Sequence, residues 1–157
     1  MSGKLAQEIR QTKPFGSLEE EAFLNLGRTY QVLQEKATEV LKRYQLSATQ
    51  YNMLRILRGA GPEGLTCSQA TERMLTPDPD VTRLLDRMES RGLIARERSK
   101  EDRRVVITRI TAEGLALAAD LDGPVAELLA KMIGRLGEER LKQFIEILEA
   151  LREGEAS

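Results

Sequence analysis

Hydrophobic side chains recur along most of the chain at helical spacing, and they predict a mainly α-helical protein. The longest such pattern covers about residues 18–44, where apolar positions alternate in steps of three and four. A 3.5-residue repeat of this kind suits packing against a long partner helix. Two further amphipathic stretches follow Pro124 and continue almost to the C-terminus. The seam of the first helix consists of Phe23, Leu26, Tyr30, Leu33, Ala37, Val40 and Tyr44.

Three helix starts carry a capping box, in which an N-cap hydroxyl and a Glu or Gln three residues later bond to each other's backbone N–H groups. They predict helices over about residues 18–44, 48–58 and 67–74. The second of these helices is expected to stop before the Gly59–Pro62 loop. The three pairs are Ser17 with Glu20, Ser47 with Gln50, and Thr66 with Gln69.

A fourth helix is predicted after the turn at residues 75–80, with Asp78 as its N-cap and Pro79 at its first helical position. Its apolar positions follow the i, i+3, i+4, i+7 rule, and Gly92 stands where a left-handed C-cap is expected. At 100° per residue, the opposite face of this helix presents polar side chains. They are Thr82, Arg83, Asp86, Arg87 and Ser90.

Two short β-prone segments follow the fourth helix, at residues 93–98 and 105–110. A charged stretch separates them, so they predict a hairpin with a charged tip. Thr111 can cap a further helix beyond the hairpin. Pro124 is expected to kink or end that helix, because a proline ring clashes with the carbonyl four residues earlier.

The order of these elements predicts a fold class that is mainly α with a small β-hairpin. A short helix, a tight turn, a second helix with a polar outer face and a hairpin together form a winged helix-turn-helix, here over residues 47–110. Helices that suit dimerisation flank this lobe, at residues 18–44 and 112–153. The whole chain, 1–157, is expected to form a single domain, since this length supports one core. The apolar seams of the flanking helices are difficult to bury in so small a monomer, so a second copy of the chain is the expected partner.

Charge is distributed unevenly, although 24 Lys and Arg against 25 Asp and Glu give a formal net charge of −1. Residues 83–109 carry nine basic and five acidic side chains, a local charge of +4. Eight of the nine cations are Arg, whose planar guanidinium suits phosphate groups and guanine edges. A charged stretch is more often a solvated face, but this one coincides with the predicted fourth helix and hairpin. Because a major groove admits one α-helix and an Arg on an adjacent hairpin fits the minor groove, the pattern predicts binding to double-stranded DNA.

The residue types that most enzymes and metal sites need are scarce, since the chain has no His and one Cys. We therefore expect no enzyme, no metal site and no cofactor. The longest uninterrupted apolar run covers residues 115–119, far below the roughly 20 residues that span a bilayer, and the N-terminus lacks a signal peptide pattern. A cytoplasmic protein without a membrane partner is expected. Cys67 is interpreted as a small, partly buried residue, with a redox trigger as the alternative.

Two runs of sequence resemble the multiple antibiotic resistance regulator (MarR) family of bacterial transcription factors. One is Asp80–Arg96, with its Val-Thr-Arg-Leu-Leu-Asp-Arg helix and Arg-Gly-Leu-Ile exit, and the other is Glu101–Gly114, which contains an Asp-x-Arg motif. The resemblance implies a homodimer with interlocked N- and C-terminal helices that represses transcription and responds to a small-molecule effector. It also implies a pseudo-palindromic operator with half-sites about one helical turn apart.

By the same resemblance, the helix from Pro79 to Arg91 reads bases, the hairpin tip reaches the minor groove, and Asp102 orients an arginine there. An effector pocket is expected between the dimerisation helices and the DNA-binding lobe, with Tyr30, Tyr51 and Met53 as candidates, although such residues at helical spacing are more often core. The predicted DNA-binding residues are Thr82, Arg83, Asp86, Arg87, Ser90, Lys100, Asp102, Arg103 and Arg104. The predicted dimer interface contains Phe23, Leu26, Leu141, Phe144, Ile145 and Leu148.

Acidic residues on the fourth helix leave alternatives open. Asp78 and Asp80 stand where family members commonly carry small hydroxyl or amide residues, so they either cap the helix away from DNA or accept from a cytosine amine. Asp86, three residues after Arg83, either holds an arginine in place or forms an ordinary solvated i, i+3 pair. The departure at Asp78 and Asp80 favours one other class of protein, a helical dimeric protein-interaction module with a non-functional DNA lobe.

Overall fold

The computed structural model describes residues 3–154 of the chain. Most helices and strands lie where the sequence predicts them, with boundaries that differ by a few residues. Short 3₁₀ turns occupy Gly61–Glu63 and Gly134–Leu136. Over the described range, the helices are α1 (Lys4–Glu8), α2 (Leu18–Lys42), α3 (Ala48–Ala60), α4 (Cys67–Glu72), α5 (Val81–Ser90), α6 (Ala112–Met132) and α7 (Glu138–Glu153), and the strands are β1 (Leu65–Thr66), β2 (Ile94–Arg98) and β3 (Val106–Ile110).

The chain groups into two compact units. The first extends to Ala37 and holds α1 and most of α2, and the second starts at Thr38 and holds the end of α2 and every later element. The winged helix-turn-helix elements therefore all belong to the second unit. A single domain over the whole chain stays a prediction.

The capping chemistry explains where α3 and α4 begin and differs at the start of α2. The capping boxes of Ser47 with Gln50 and of Thr66 with Gln69 are both complete, since each pair exchanges two hydrogen bonds at 3.0–3.1 Å. At the start of α2 only half of the box forms. The Glu20 N–H donates to Ser17 Oγ at 3.2 Å, but the Glu20 carboxylate accepts from the N–H of Gly16 instead of that of Ser17.

The core of the second unit lies between α3, α5, the sheet and the first half of α6. The predicted apolar stripe of α5 is confirmed, because Leu84, Leu85 and Met88 are all buried. Complete burial of a Leu or Met side chain contributes roughly 1.5–3 kcal/mol each. The large apolar side chains that are buried completely are Met53, Leu54, Leu57, Leu85, Met88, Ile94 and Leu121.

The wing belongs to a three-stranded antiparallel sheet of order β1-β3-β2, in which β1 is an unpredicted addition. Strands β2 and β3 form the predicted hairpin, with Ile94 opposite Ile110. The two residues of β1 pair with β3 and lead directly into α4. Gly64, just before β1, has φ +69°, and a Cβ there would lie 2.4 Å from the carbonyl oxygen of Thr108. Only glycine allows this approach of β1 to β3 without strain.

Three predicted helix ends differ from the structure. Helix α2 ends at Lys42 and α4 ends at Glu72, each two residues early, whereas α3 continues through Gly59 to Ala60. Glycine costs a helix up to about 1 kcal/mol relative to alanine. The packing of Leu57 and Ala60 against the core outweighs that cost, which is why α3 does not stop before Gly59.

Pro124 lies inside α6, so of the two predicted outcomes the helix end is wrong, and a kink at Pro124 stays a prediction. Leu121 is buried in the core and Val125 packs against it, so core contacts on both sides of the proline support one helix. The residue directly before the proline is Gly123, which has no Cβ to clash with the proline ring. None of the helices in residues 3–154 is long and apolar enough to cross a bilayer.

Candidate nucleic-acid interface

Helix α5, the candidate recognition helix, begins later than the sequence predicts. Its N-cap is Asp80, whose Oδ1 accepts from the N–H of Arg83 at 3.0 Å. The prediction of Asp78 as N-cap and Pro79 as the first helical residue was therefore wrong. Asp78 accepts from the N–H of Asp80 at 2.8 Å, an Asx turn that places the chain for the cap. Both carboxylates thus stabilise the start of α5 through the backbone.

The outer face of α5 carries the polar side chains that its periodicity predicts. Thr82, Arg83 and Arg87 are exposed. Ser90 is also exposed, but its hydroxyl donates to the carbonyl of Asp86 at 2.9 Å, within the helix. Thr82 and the two arginines are therefore the side chains of this face that remain open to a partner.

A cleft of about 410 Å³ lies between the starts of α3 and α5. Its lining combines hydroxyl groups, carboxylates and two guanidinium groups, so it offers both donors and acceptors. The residues around it are Ser47, Thr49, Gln50, Asp78, Asp80, Arg83, Leu84 and Arg87.

The wing tip is ordered by hydrogen bonds to its own backbone. The N–H of Ser99 donates to the carbonyl of Val105 at 2.8 Å, which closes the hairpin. Asp102 Oδ1 accepts from the N–H of Arg104 at 2.9 Å. Asp102 thus shapes the turn through the backbone, whereas the family resemblance implies that it orients an arginine side chain. Within residues 3–154 no contact joins its carboxylate to a guanidinium group.

Four of the nine cations of residues 83–109 are engaged in holding the lobe together. Arg91 donates to the carbonyls of Gln45 and Tyr44, at 2.6 and 3.3 Å. Arg98 donates to the carbonyl of Arg103 at 2.8 Å. Arg109 Nε donates to the carbonyl of Pro62 at 2.8 Å, and Arg96 pairs with two carboxylates of α5. Net charge along the sequence therefore overestimates the cations available to a ligand.

The other five cations are exposed, and their side chains have no hydrogen bond or ion pair with any part of the chain that the structure describes. Two lie on α5 and three at the wing tip, and all five are among the predicted DNA-binding residues. We call them the free cations: Arg83, Arg87, Lys100, Arg103 and Arg104.

Asp86, also predicted to bind DNA, pairs with Arg96 of β2 and not with Arg83. Asp86 thus holds an arginine in place, as one of the two alternatives predicts, but that arginine is Arg96, and the solvated i, i+3 pair with Arg83 does not form. Arg96 also pairs with Glu89, one turn further along α5. Its hydrogen bond to Asp86, reinforced by one to Glu89, raises the pKa of Arg96, so the group stays charged. The sequence did not lead us to predict this bridge. The pattern that could have indicated it is a pair of carboxylates three residues apart on a helix, followed by an arginine on the next strand.

A second ion pair ties α6 to the helix-turn-helix. Arg58 of α3 donates from Nη1 and Nη2 to the two carboxylate oxygens of Asp122, both at 3.0 Å. These hydrogen bonds lower the pKa of Asp122 and raise that of Arg58. A bidentate pair fixes orientation as well as distance, so the first half of α6 is held against the DNA-binding lobe.

The three candidate effector residues lie in different environments. Met53 is completely buried in the core of the second unit. Tyr51 is half-buried beside that core, and Tyr30 is exposed on α2, where its hydroxyl accepts from Gln34 Nε2 at 2.7 Å. A cavity of about 530 Å³ in the first unit, around Lys13, includes none of the three. Their role in binding a ligand stays a prediction.

Apolar side chains remain exposed in each unit. On α2, Phe23 is 75% and Leu26 43% exposed, and on α7, Ile145 is 51% exposed. The other predicted interface residues of α7 are half-buried: Leu141, Phe144 and Leu148.

Cys67 is exposed at the start of α4, so the expected partial burial was wrong. Ala70 is the buried residue of this short helix. No group of three or more His, Cys, Asp or Glu in the described range is arranged to hold a metal.

The second unit combines two short helices with a three-stranded wing, and the free cations lie on α5 and on the wing tip. These features define a winged helix-turn-helix protein of the DNA-binding class. The family model described as the MarR family matches residues 44–105. The organic hydroperoxide resistance transcriptional regulator of Bacillus subtilis (strain 168) is 33% identical over 130 residues, which cover 78% of this chain and 85% of that relative. The chain therefore belongs to the MarR family, whose members are transcriptional regulators and not enzymes.

Solved structures agree with this assignment. A MarR transcription factor from Planctomyces limnophilus is 41% identical, with a TM-score of 0.68, over 87% of this chain and 99% of that chain. The S. aureus MepR–DNA complex is 22% identical, with a TM-score of 0.74, over 85% of this chain and 96% of that chain. The second match shows a shared fold with a protein solved on DNA.

Proposed function

We propose that this chain is a sequence-specific regulator that binds double-stranded DNA as a homodimer, with α5 in the major groove and the wing tip at the minor groove. The observation that carries the proposal is the division of the nine cations. Four arginines are engaged within the lobe, and the five free cations gather on the two elements that would enter the grooves.

The free cations differ in the contacts that they suit. Arg83 and Arg87 project from the helix, where a guanidinium can donate two hydrogen bonds to guanine O6 and N7. Arg103 and Arg104 are at the wing tip, where the negative potential of a narrow minor groove attracts arginine. We therefore assign base recognition to α5 and orientation on the phosphate backbone mainly to the wing.

The homodimer is supported by the apolar side chains that α2 and α7 leave exposed, with Phe23 and Ile145 as the leading examples. A two-fold dimer presents two copies of α5, so its operator would be pseudo-palindromic, with half-sites about one helical turn apart. Following the family resemblance, we propose repression that a small-molecule effector relieves. Such an effector must prefer the dimer spacing that cannot bridge both half-sites, because only differential affinity shifts the equilibrium.

The alternative, a dimeric protein-interaction module with a non-functional DNA lobe, loses its main support. That reading depended on Asp78 and Asp80 as carboxylates that repel phosphate. Both carboxylates accept hydrogen bonds from backbone N–H groups: Asp78 forms an Asx turn, and Asp80 caps α5. The free cations beside them leave the lobe with the charge that DNA binding needs.

The test is selection of bound fragments from random duplex DNA, followed by affinity measurements over a range of salt concentrations. If all ten free cations of a dimer neutralised a phosphate, the slope of log K against log salt would be about −9. Arg104→Ala should weaken binding to all sequences and make the slope shallower by about 2, one for each copy. Arg83→Ala should also relax the base preference at one position of each half-site.

Arg109→Gln is the matched control, because Arg109 is an arginine of the same hairpin whose side chain is bonded within the lobe. It should leave the salt slope unchanged. No duplex binding at low salt would refute the proposed function and favour the protein-interaction module. An equal loss of slope in Arg109→Gln and Arg104→Ala would refute the division between free and engaged cations.

A further inference from the structure

The bridge between α5 and the wing has a consequence for the charge that α5 presents. Arg96 of β2 donates from Nε to Glu89 at 2.7 Å and pairs through Nη2 with Asp86. Its side chain is only 24% exposed, whereas Asp86 is 57% exposed. Both carboxylates come from α5, one turn apart, and the cation comes from the strand beside it.

Without Arg96 this part of α5 would carry no net positive charge. Arg83 and Arg87 contribute two positive charges, and Asp86 and Glu89 contribute two negative ones. A phosphate approaching the helix would meet the carboxylates as well as the guanidinium groups. Arg96 brings the total to +1 and donates a hydrogen bond to each of the two carboxylates.

Asp86 stands three residues after Arg83, a spacing at which opposite charges pair on a helix surface. In the structure this pair does not form, since Asp86 faces Arg96. An Asp86 carboxylate released from Arg96 could pair with Arg83 at this spacing. The bridge therefore keeps Arg83 available.

We infer that Arg96 is a positioning residue for DNA recognition, which holds Asp86 and Glu89 away from DNA and from Arg83 so that Arg83 is free to read a base. The inference rests on the proposed DNA-binding function and adds to it a residue that itself touches no base. It predicts that losing Arg96 affects base preference, and not only stability.

The test compares the native chain with Arg96→Met and with the triple variant Arg96→Met, Asp86→Asn, Glu89→Gln on a duplex that the native chain selects. Arg96→Met should bind about tenfold more weakly and should show the relaxed base preference of Arg83→Ala, since a good arginine–guanine contact discriminates by that factor or more. The triple variant lacks the carboxylates of Asp86 and Glu89, so it no longer needs Arg96 to pair with them. Its base preference should return, and its affinity should recover to within about threefold of the native value.

Arg109→Met is the matched control, because it removes another engaged arginine of the same sheet that has no partner on α5. It should keep the native base preference. Should Arg96→Met not fold, Arg96→Lys and its combination with Asp86→Asn are compared in the same way, since a lysine lacks the planar fork whose separate nitrogens contact the two carboxylates.

The inference is overturned if Arg96→Met keeps the native base preference, or if the triple variant is as relaxed and weak as Arg96→Met. The second result would mean that the bridge acts only by joining helix and wing. If the native chain selects no duplex at all, the proposed function fails instead, so the two failures are distinguishable.

Discussion

Gly114, in the first turn of α6, is a position where one added methyl group should lower stability. It is buried, and its N–H donates to the N-cap hydroxyl of Thr111 at 3.1 Å. A Cβ there would lie 2.2 Å from the carbonyl oxygen of Leu93 and 2.7 Å from Cγ1 of Ile110. The Leu93 oxygen already accepts from the N–H of Thr111 at 3.1 Å, so it cannot retreat without loss of that bond.

The expected cost of Gly114→Ala follows from these contacts. Ordinary carbon–oxygen contact needs about 1 Å more than the 2.2 Å available, and overpacking of this kind costs about 1–3 kcal/mol. A weakened hydrogen bond between Thr111 and Leu93 adds about 1 kcal/mol. The better helix propensity of alanine returns about 1 kcal/mol. The free energy of unfolding should therefore fall by about 1–3 kcal/mol.

Gly59, within α3, is the matched control, because a Cβ there meets nothing within 4 Å. Gly59→Ala should raise the free energy of unfolding by up to about 1 kcal/mol. Urea unfolding followed by far-UV circular dichroism measures both variants, with unchanged m-values as the sign that the transition is the same. If Gly114→Ala proves as stable as Gly59→Ala, the close approach of α6 to Leu93 is refuted.

Three further predictions concern the cap of α5, the α3–α6 ion pair and the dimer. Asp80→Ala should lower the free energy of unfolding by about 1 kcal/mol in urea titrations, while Asp80→Asn, which can still cap, should change it little; equal losses would refute the cap. The pKa of Asp122 is lowered in the folded state, so its contribution is complete above its ordinary value of 3.8 and is lost as pH falls through the lowered folded value. Unfolding midpoints below pH 3.8 should therefore fall more steeply for the native chain than for Asp122→Asn, and parallel curves would contradict this. Ile145→Glu should shift the sedimentation mass from two chains to one, with Glu146→Gln on the same helix as control, and a two-chain mass in Ile145→Glu would refute α7 as part of the interface.

Local signals in the sequence were sufficient for the parts of the fold that depend on neighbouring residues. The boxes at Ser47 and Thr66 and the buried stripe of α5 depend on spacings of three and four residues, and the structure confirms them. Features that depend on distant residues were missed. Strand β1 has only two residues, too few for a periodic pattern, and it exists because Gly64 lets the chain approach β3.

The candidate site was predictable in outline for the same reason. The polar face of α5 and the charged hairpin tip could be placed from periodicity alone. The sequence could not separate the engaged arginines from the free cations, because the partners of Arg91 and Arg109 lie 46 or more residues away. Asp78 was misassigned because an Asx turn and an N-cap use the same residue types, and here they stand only two positions apart.

The engaged arginines also affect how a genetic study of this regulator would be interpreted. A screen for lost repression would recover substitutions at Arg91 beside those at Arg104, although the first residue secures the chain after α2 and the second faces solvent. Both classes would appear as one cluster of inactive alleles on a linear map. The amount of folded protein in each strain would separate them, since only alleles of the first class should be rescued by growth at lower temperature.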